Sequence, residues 1–446
     1  MTFYSSDAER DQLFCNILNR ELVCALGCTE PIAVAYAAAL ARETLGCEPD
    51  HIDLDCSGNI IKNVKSVTVP NSGGLAGLEA AVTLGTVGGN AASALEVLES
   101  VDDDDRARTR TLLERGDYVN VSLALDVPNL YIRVRAHAAE HAADVIIAGH
   151  HTNIAYRGLD GTRLEGAYDS PEAVAADAKD AHDQVVSALN LDAIIAFAEH
   201  GSIDAARDAL ERQLELNDAI SREGLEHAWG AEVGRTLLGS RPARPPPPAP
   251  PPPGGPPPRA PAGSDARMSG CAMPVVIVCG SGNQGITACL PVLEYATELG
   301  VDGDRLLRAL ALSDLVSIHV KSYIGALSAF CGAVCAACGA GAAVCWMSGG
   351  TPAQVGATIV NTLGNVGGIV CDGAKSSCAA KISAAVDAAI LGRDMAMAGR
   401  SFHAGEGLVQ DTIEETIASM GYVGRVGMKP TDVEILNIMI GKTDVM

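Results

Sequence analysis

Fifty consecutive residues, Ser322 to Cys371, contain no Asp, Glu, Lys, Arg or His. Such a stretch costs little to bury and makes a poor surface, so the rest of the chain has to be wrapped around it. A membrane span needs only about 20 apolar residues. Here, however, Gly, Ala, Ser, Thr and Asn outweigh Leu, Ile and Phe, and the polar Thr351-Pro352-Ala353-Gln354 interrupts the run. Helices buried in a large core are the expected outcome, not membrane spans. A second charge-free run, Met268 to Leu293, holds the glycine-framed Ser281-Gly282-Asn283-Gln284-Gly285, which reads as a polar loop. Polar loops between apolar helices are what a buried active site in a helical domain needs.

At 446 residues the chain has room for two or three domains with real cores. Its net charge of −23 and the acidic run Asp102 to Asp105 argue against nucleic acid, which demands concentrated Lys and Arg. Met1 to Gln12 show neither a basic nor an apolar leader region, so a cytoplasmic location with reduced thiols is expected. Fourteen cysteines in that setting suggest buried small hydrophobes and metal ligands rather than disulfides.

In chain order, Asp7 to Thr44 reads as two helices separated by Leu26-Gly27-Cys28-Thr29-Glu30-Pro31, with Thr29 as the cap and Cys28 at the second helix N-terminus. That position lowers a thiol's pKa. His51 to Cys56 and Lys65 to Val69 alternate as strands do, as do Val119–Leu125, Leu130–Ala136 and Asp144–Ile147. A small-residue helix is expected over roughly Leu75 to Leu98. Asp177 to Leu237 is mostly helical in pattern, with Val185, Leu189, Ile194 and Phe197 on one face. Pro242 to Pro261 holds thirteen prolines and reads as an extended, solvated insertion. The fold expected is α+β: a largely helical catalytic body with an inserted strand-containing domain. Its parts are N-terminal helices (1–47), the strand-containing domain (48–165), a helical segment (166–240), the polyproline linker (241–263) and a helical catalytic domain (264–446).

Five of the cysteines, Cys331, Cys335, Cys338, Cys345 and Cys371, lie in the long charge-free stretch, and Cys371-Asp372-Gly373-Ala374-Lys375-Ser376-Ser377-Cys378 reads as a turn with a thiol at each end. Thiolates in a dry pocket point to an iron–sulfur cluster or zinc. Cys331, Cys335 and Cys338 also have the C-x3-C-x2-C spacing of radical S-adenosylmethionine enzymes. Here they lie on a helical pattern instead of a loop, which disfavours that reading. No Cys/His set has zinc-finger spacing, and no Lys sits in a pyridoxal-phosphate context. His150 and His151, at a strand end beside Thr152 and Asn153, supply an imidazole that could act as a general base.

Taken in order, Gly27-Cys28-Thr29-Glu30-Pro31, Gly149-His150-His151-Thr152-Asn153-Ile154, Ser264-Asp265-Ala266-Arg267-Met268, Ser281-Gly282-Asn283-Gln284-Gly285-Ile286 and Cys371-Asp372-Gly373-Ala374 resemble the L-cysteine desulfidase family, which is related to the alpha part of iron–sulfur L-serine dehydratases. The resemblance runs from about Leu18 to about Ile440, broken mainly by the polyproline segment. It implies a [4Fe–4S] cluster with one open iron, held by Cys28, Cys331 and Cys371, with Cys378 as a reserve ligand and no pyridoxal phosphate. It also implies α,β-elimination of L-cysteine to hydrogen sulfide, ammonia and pyruvate, with His151 as base. Around the small amino-acid substrate it would place Asn283, Gln284, the backbone of Gly282 and Gly285, Lys381 and Arg267. Cys28 must then pack close to Cys331 and Cys371. Serine in place of cysteine, self-association into a homo-oligomer, and a non-catalytic or membrane-embedded cysteine-rich protein are the alternatives left open.

Overall fold

A computed structural model describes residues 4–168, 170, 188–240, 257–325 and 327–442. The expected periodic position Val185 and the polyproline residues Pro242 to Pro256 lie outside these. The fold is α+β, as expected, and its sheet begins with the alternating segment His51–Cys56. In this strand Ile52, Leu54 and Cys56 are fully buried and His51 faces out. Counting β1 as Cys24–Leu26 and β2 as His51–Cys56, the sheet is completed by β3 (Val119–Leu123), β4 (Tyr131–Ala138), β5 (His141–Ala148), β6 (Ile154–Leu159) and β7 (Thr162–Glu165). The order is β3-β2-β4-β5-β6-β7, with β2 and β3 parallel and the other pairs antiparallel.

Lys65 to Val69 is not a strand. The chain turns there after a short helix, and Thr68 makes a single bridge to Ala76. The helix expected to run to Leu98 stops at Gly88 and gives way to a short 3-10 segment, Ala91–Glu96.

Number the helices α1 (Asp7–Glu21), α2 (Thr29–Leu45), α3 (Gly58–Val64), α4 (Leu78–Gly88) and α5 (Asp103–Glu114). Every residue of α2 from Thr29 to Ala41 is buried, because this alanine-rich helix packs between the sheet and α4. α6 (Leu191–His200), α7 (Arg207–Glu226) and α8 (Val233–Ser240) follow, then α9 (Arg259–Met268), whose first turn accepts Pro261 and which begins inside the segment expected to be linker.

The body is completed by β8 (Pro274–Val276), α10 (Gly282–Leu299), α11 (Gly303–Ile324), α12 (Gly332–Met347), α13 (Pro352–Val366), α14 (Cys378–Met397), α15 (Ile413–Tyr422) and α16 (Lys429–Met439). The charge-free stretch supplies α12, buried from Ala333 to Met347 and packed against α10, α11, α13 and α14. Its small residues allow this: a Cβ on Gly339 would stand 2.1 Å from the Ser313 carbonyl of α11. No helix among the described residues is long and apolar enough to cross a membrane.

One buried group makes the core pH-sensitive. Asp314 on α11 is fully buried; Oδ1 accepts from Gln213 Nε2 at 3.0 Å and Oδ2 has no partner. Burial pushes its pKa up from 3.8 to about 7. The folded state therefore holds a proton that the unfolded chain releases, and stability falls as pH rises from about 4 to about 7. Asp314→Asn, uncharged throughout, is expected to be more stable than the wild type by roughly 2–4 kcal/mol above pH 7, with the gain vanishing toward pH 4. Denaturant melts across that range check it.

Candidate active site

Backbone pairing joins four separated segments in two pairs. β1 runs antiparallel to β8, with Cys24 opposite Val276 and Leu26 opposite Pro274, so the turn Gly27-Cys28 leaves the pair at the Pro274 end. Cys28 itself, not Thr29, is the N-cap of α2. The Thr29 hydroxyl instead donates to the Gly280 carbonyl at 2.8 Å, tying the two loops. Cys28 is buried and its thiol donates to Glu30 Oε2 at 3.2 Å. Burial, then the Glu30 charge, push the thiol's pKa up, with Arg267 opposing.

Phe330 and Val370 form an isolated antiparallel bridge, flanked by Cys331 N–H to Ile369 O (2.9 Å) and Cys371 N–H to Ala329 O (2.7 Å). This crossing puts the Cys331 and Cys371 thiols in hydrogen-bond contact. Cys331 caps the N-terminus of α12, and Cys378 begins α14 with its thiol 3.7 Å from the Gly373 carbonyl. The hydrogen bond from Cys331 outweighs burial and, with Lys62, the Gly373 N–H and Lys381, draws Cys371 down to about 6. Cys331 moves the other way. Cys335, Cys338 and Cys345 are fully buried inside α12 and their pKa values are raised by burial, as packing residues should be.

His151 packs against Gly280, beside the Cys28 turn. A Cβ on Gly280 would stand 2.9 Å from its Cε1, and its Nε2 is buried with no hydrogen-bond partner. Burial lowers its pKa, His150 and Arg267 act in the same direction, and Glu30 opposes them. Glu30 is buried, which raises its pKa, but His151, the Cys28 thiol and Arg267 more than offset that and leave it lowered. Glu30 Oε1 accepts from Asn63 Nδ2 at 3.0 Å. Asn63 belongs to α3, whose Lys62 carbonyl would be 2.3 Å from a Cβ on Gly373, so the Cys371 loop rests on α3.

The expected substrate-contacting residues divide into two groups. Arg267 is buried, its Nη1 donates to Asn283 Oδ1 at 3.1 Å, and its Nε has no partner; Gly282 presses on it, a Cβ there falling 2.3 Å from Nε. Gln284, also buried, lies against Gly332 next to Cys331 with Oε1 unpaired. Asn63 Oδ1 is a further buried orphan. Lys381, by contrast, spends its charge on Asp372 and the Val370 carbonyl.

The glycine-framed segment is the first turn of α10 rather than a loop, and Gly285 is a packing residue: a Cβ there would be 2.0 Å from the Val276 carbonyl. Gly285→Ala is expected to destabilise by about 1–3 kcal/mol, read as a lower Tm, because backbone must move.

Glu30, Lys62 and Asn63 were not assigned roles from sequence. Lys62 is buried, pairs with Asp432 of α16 and reaches Cys371 electrostatically. The signal available was two polar residues closing the apolar Ile60-Ile61 turn, which reads as an ordinary solvent face.

The family described as serine dehydratase alpha chain matches residues 92–437. This chain belongs to that family. The matched region contains His151, Arg267, Asn283, Gln284, Cys331, Cys371 and Cys378, while Cys28 precedes it. Similarity to full-length relatives covers both parts. The UPF0597 protein of Desulfitobacterium hafniense is 45% identical over 431 residues, 97% of each chain. Those of Lachnoclostridium phytofermentans (45%, 95% of this chain and 98% of the relative) and Finegoldia magna (44%, 96% and 99%) are similar over the same extent. Membership in the serine dehydratase alpha chain family makes this a lyase-type chain, and the residues above are its candidate catalytic set.

Proposed function

We propose that the chain is an iron–sulfur-dependent L-cysteine desulfidase that eliminates sulfide from L-cysteine. The observation that carries this is the gathering of buried, unpaired polar atoms (His151 Nε2, Arg267 Nε, Gln284 Oε1 and Asn63 Oδ1) in one neighbourhood with Cys28, Cys331, Cys371 and Cys378. Orphaned buried groups are costly unless a ligand completes them.

The donor set fits a cluster. Cys28, Cys331 and Cys371 would hold it, with Cys378 in reserve, and Lys62, Lys381 and Arg267 offset thiolate charge. These thiols do not converge as ligands of a single ion do. Among the described residues, the one group of three or more ligand atoms within 4.8 Å of one another lies elsewhere. When bound, a [4Fe–4S] cluster with one open iron supplies a Lewis acid for the substrate carboxylate or the departing sulfur.

His151, held neutral by burial, takes the Cα proton on Nε2. The electron pair forms the Cα–Cβ double bond as the Cβ–S bond breaks, and sulfide leaves with its protons supplied by solvent. The 2-aminoacrylate tautomerises, and water converts the imine to pyruvate and ammonia. Arg267, with Asn283 and Gln284, is the pair-forming set for the carboxylate and amine. A small amino acid is thus the partner of this site, and a reducing cytoplasm suits fourteen free cysteines.

The matching family's description names serine, which favours dehydration of L-serine as the second reading. Anaerobic purification, iron analysis and parallel assays on L-cysteine and L-serine decide between them. About four irons per chain with faster pyruvate and sulfide release from cysteine is the expected result. Faster turnover of serine supports the second reading, and a folded, reconstituted chain with neither iron nor pyruvate overturns both.

A further inference from the structure

The outer face of the sheet carries a ligand cluster that the elimination chemistry leaves unused. His51 opens β2 directly opposite His137 of antiparallel β4, and Asp53, two residues along, shares their face. The two imidazoles stack in parallel with centroids 4.4 Å apart. His137 Nε2 is 3.2 Å from Asp53 Oδ2, and one ligand atom from each of the three residues lies within 4.8 Å of the others.

Asp53 is also oriented. Its Oδ1 accepts from Asn120 Nδ2 at 3.2 Å, on the neighbouring strand β3. Arg135, which faces Asp53 across the ladder, turns its guanidinium to Asp55 at 3.0 Å. The carboxylate thus keeps an oxygen directed at His137 while a neighbouring amide fixes the other, as second-shell groups fix metal-ligating carboxylates.

We propose that His51, Asp53 and His137 form a second metal site, for a divalent first-row transition ion of the Zn(II) type, with Asn120 as its orienting residue. Two imidazoles and one carboxylate are a donor set that such ions accept, and bonds of about 2.0–2.2 Å require only that the side chains rotate inward from their present spacing. His51 is exposed and the other two are half-buried, which leaves water to fill the remaining positions. An ion there would clamp β2 to β4 at the start of the strand that leads into α3 and its Lys62 and Asn63. The inference stands apart from the elimination reading, since none of its ligands is a thiol.

The test must separate these ligands from the cysteines. Wild-type protein is titrated anaerobically with Co(II), whose spectrum tells nitrogen and oxygen donors from thiolates, and with Zn(II) by calorimetry. Melting curves are recorded with and without Zn(II). His51→Ala, His137→Ala and Asn120→Ala, all on the sheet's outer face, are carried in parallel. The expected result is one equivalent bound without thiolate absorption, weakened at least about tenfold by either histidine change and about tenfold or more by Asn120→Ala. Zn(II) should raise the Tm of the wild type and not that of His51→Ala. Saturable binding that is unchanged in both histidine variants, binding with a purely thiolate spectrum, or no saturable binding overturns the proposal.

Discussion

Cys371→Ala is expected to lose bound iron and pyruvate release together, and Cys331→Ala and Cys28→Ala to do the same, while Cys335→Ala and Cys338→Ala keep both. The two groups of cysteines differ in environment, not in residue type. Cys371 is the thiol that the fold pulls toward the anion: the Cys331 hydrogen bond, then Lys62, the Gly373 N–H and Lys381 overcome burial and bring it to about 6. A thiolate is what a cluster iron takes. Cys335 is pushed up to about 11 by burial and Cys338 well above its ordinary value, so both remain thiols and act as small apolar fillers.

Their replacement should cost on the order of 1 kcal/mol of stability through a small cavity, visible in a melt and not in iron content. Cys378→Ala decides the reserve role, since its thiol faces the Gly373 carbonyl and its pKa is raised by burial and, to a lesser extent, by Cys371 nearby. Iron that persists in Cys371→Ala and disappears in Cys335→Ala would falsify this ligand set.

What could be read in advance follows from how local each signal is. The charge-free stretch announces a buried helix because burial of charge is prohibitive over any path the chain takes. His51 to Cys56 announces a half-buried strand because a strand with one buried face puts every second side chain inside. Lys65 to Val69 alternates as well, yet Pro70 follows it without an amide to donate, and the chain turns with one bridge at Thr68. Ser281 to Gly285 looked like a loop because its glycines suggested backbone freedom. Gly285 is there to let α10 approach Val276, a tertiary requirement that leaves the helix intact. Glu30, Lys62 and Asn63 were hidden for the same reason. Their partners are set by tertiary structure: Lys62 pairs with Asp432, Asn63 donates to Glu30, and the Lys62 carbonyl meets Gly373 of the Cys371 loop, more than three hundred positions away.

His151→Gln is expected to keep its iron and lose turnover by about 10²–10⁴-fold, the range that a positioned general base contributes. The substitution is chosen because glutamine fills similar space beside Gly280 without a basic nitrogen. In the wild type, burial holds the imidazole's pKa below 6.5, with His150 and Arg267 adding to the effect and Glu30 opposing it. The base is active when unprotonated, so kcat/KM should rise with pH along an acid limb centred below 6.5 and then level off. His150 is exposed and its charge is one of those holding His151 down. His150→Ala should therefore leave the plateau nearly unchanged and move the acid limb slightly upward. Swapped results, with turnover lost in His150→Ala and kept in His151→Gln, would assign the base to the outer imidazole. That outcome would also require the proton to leave toward solvent, where no buried orphan nitrogen waits for it.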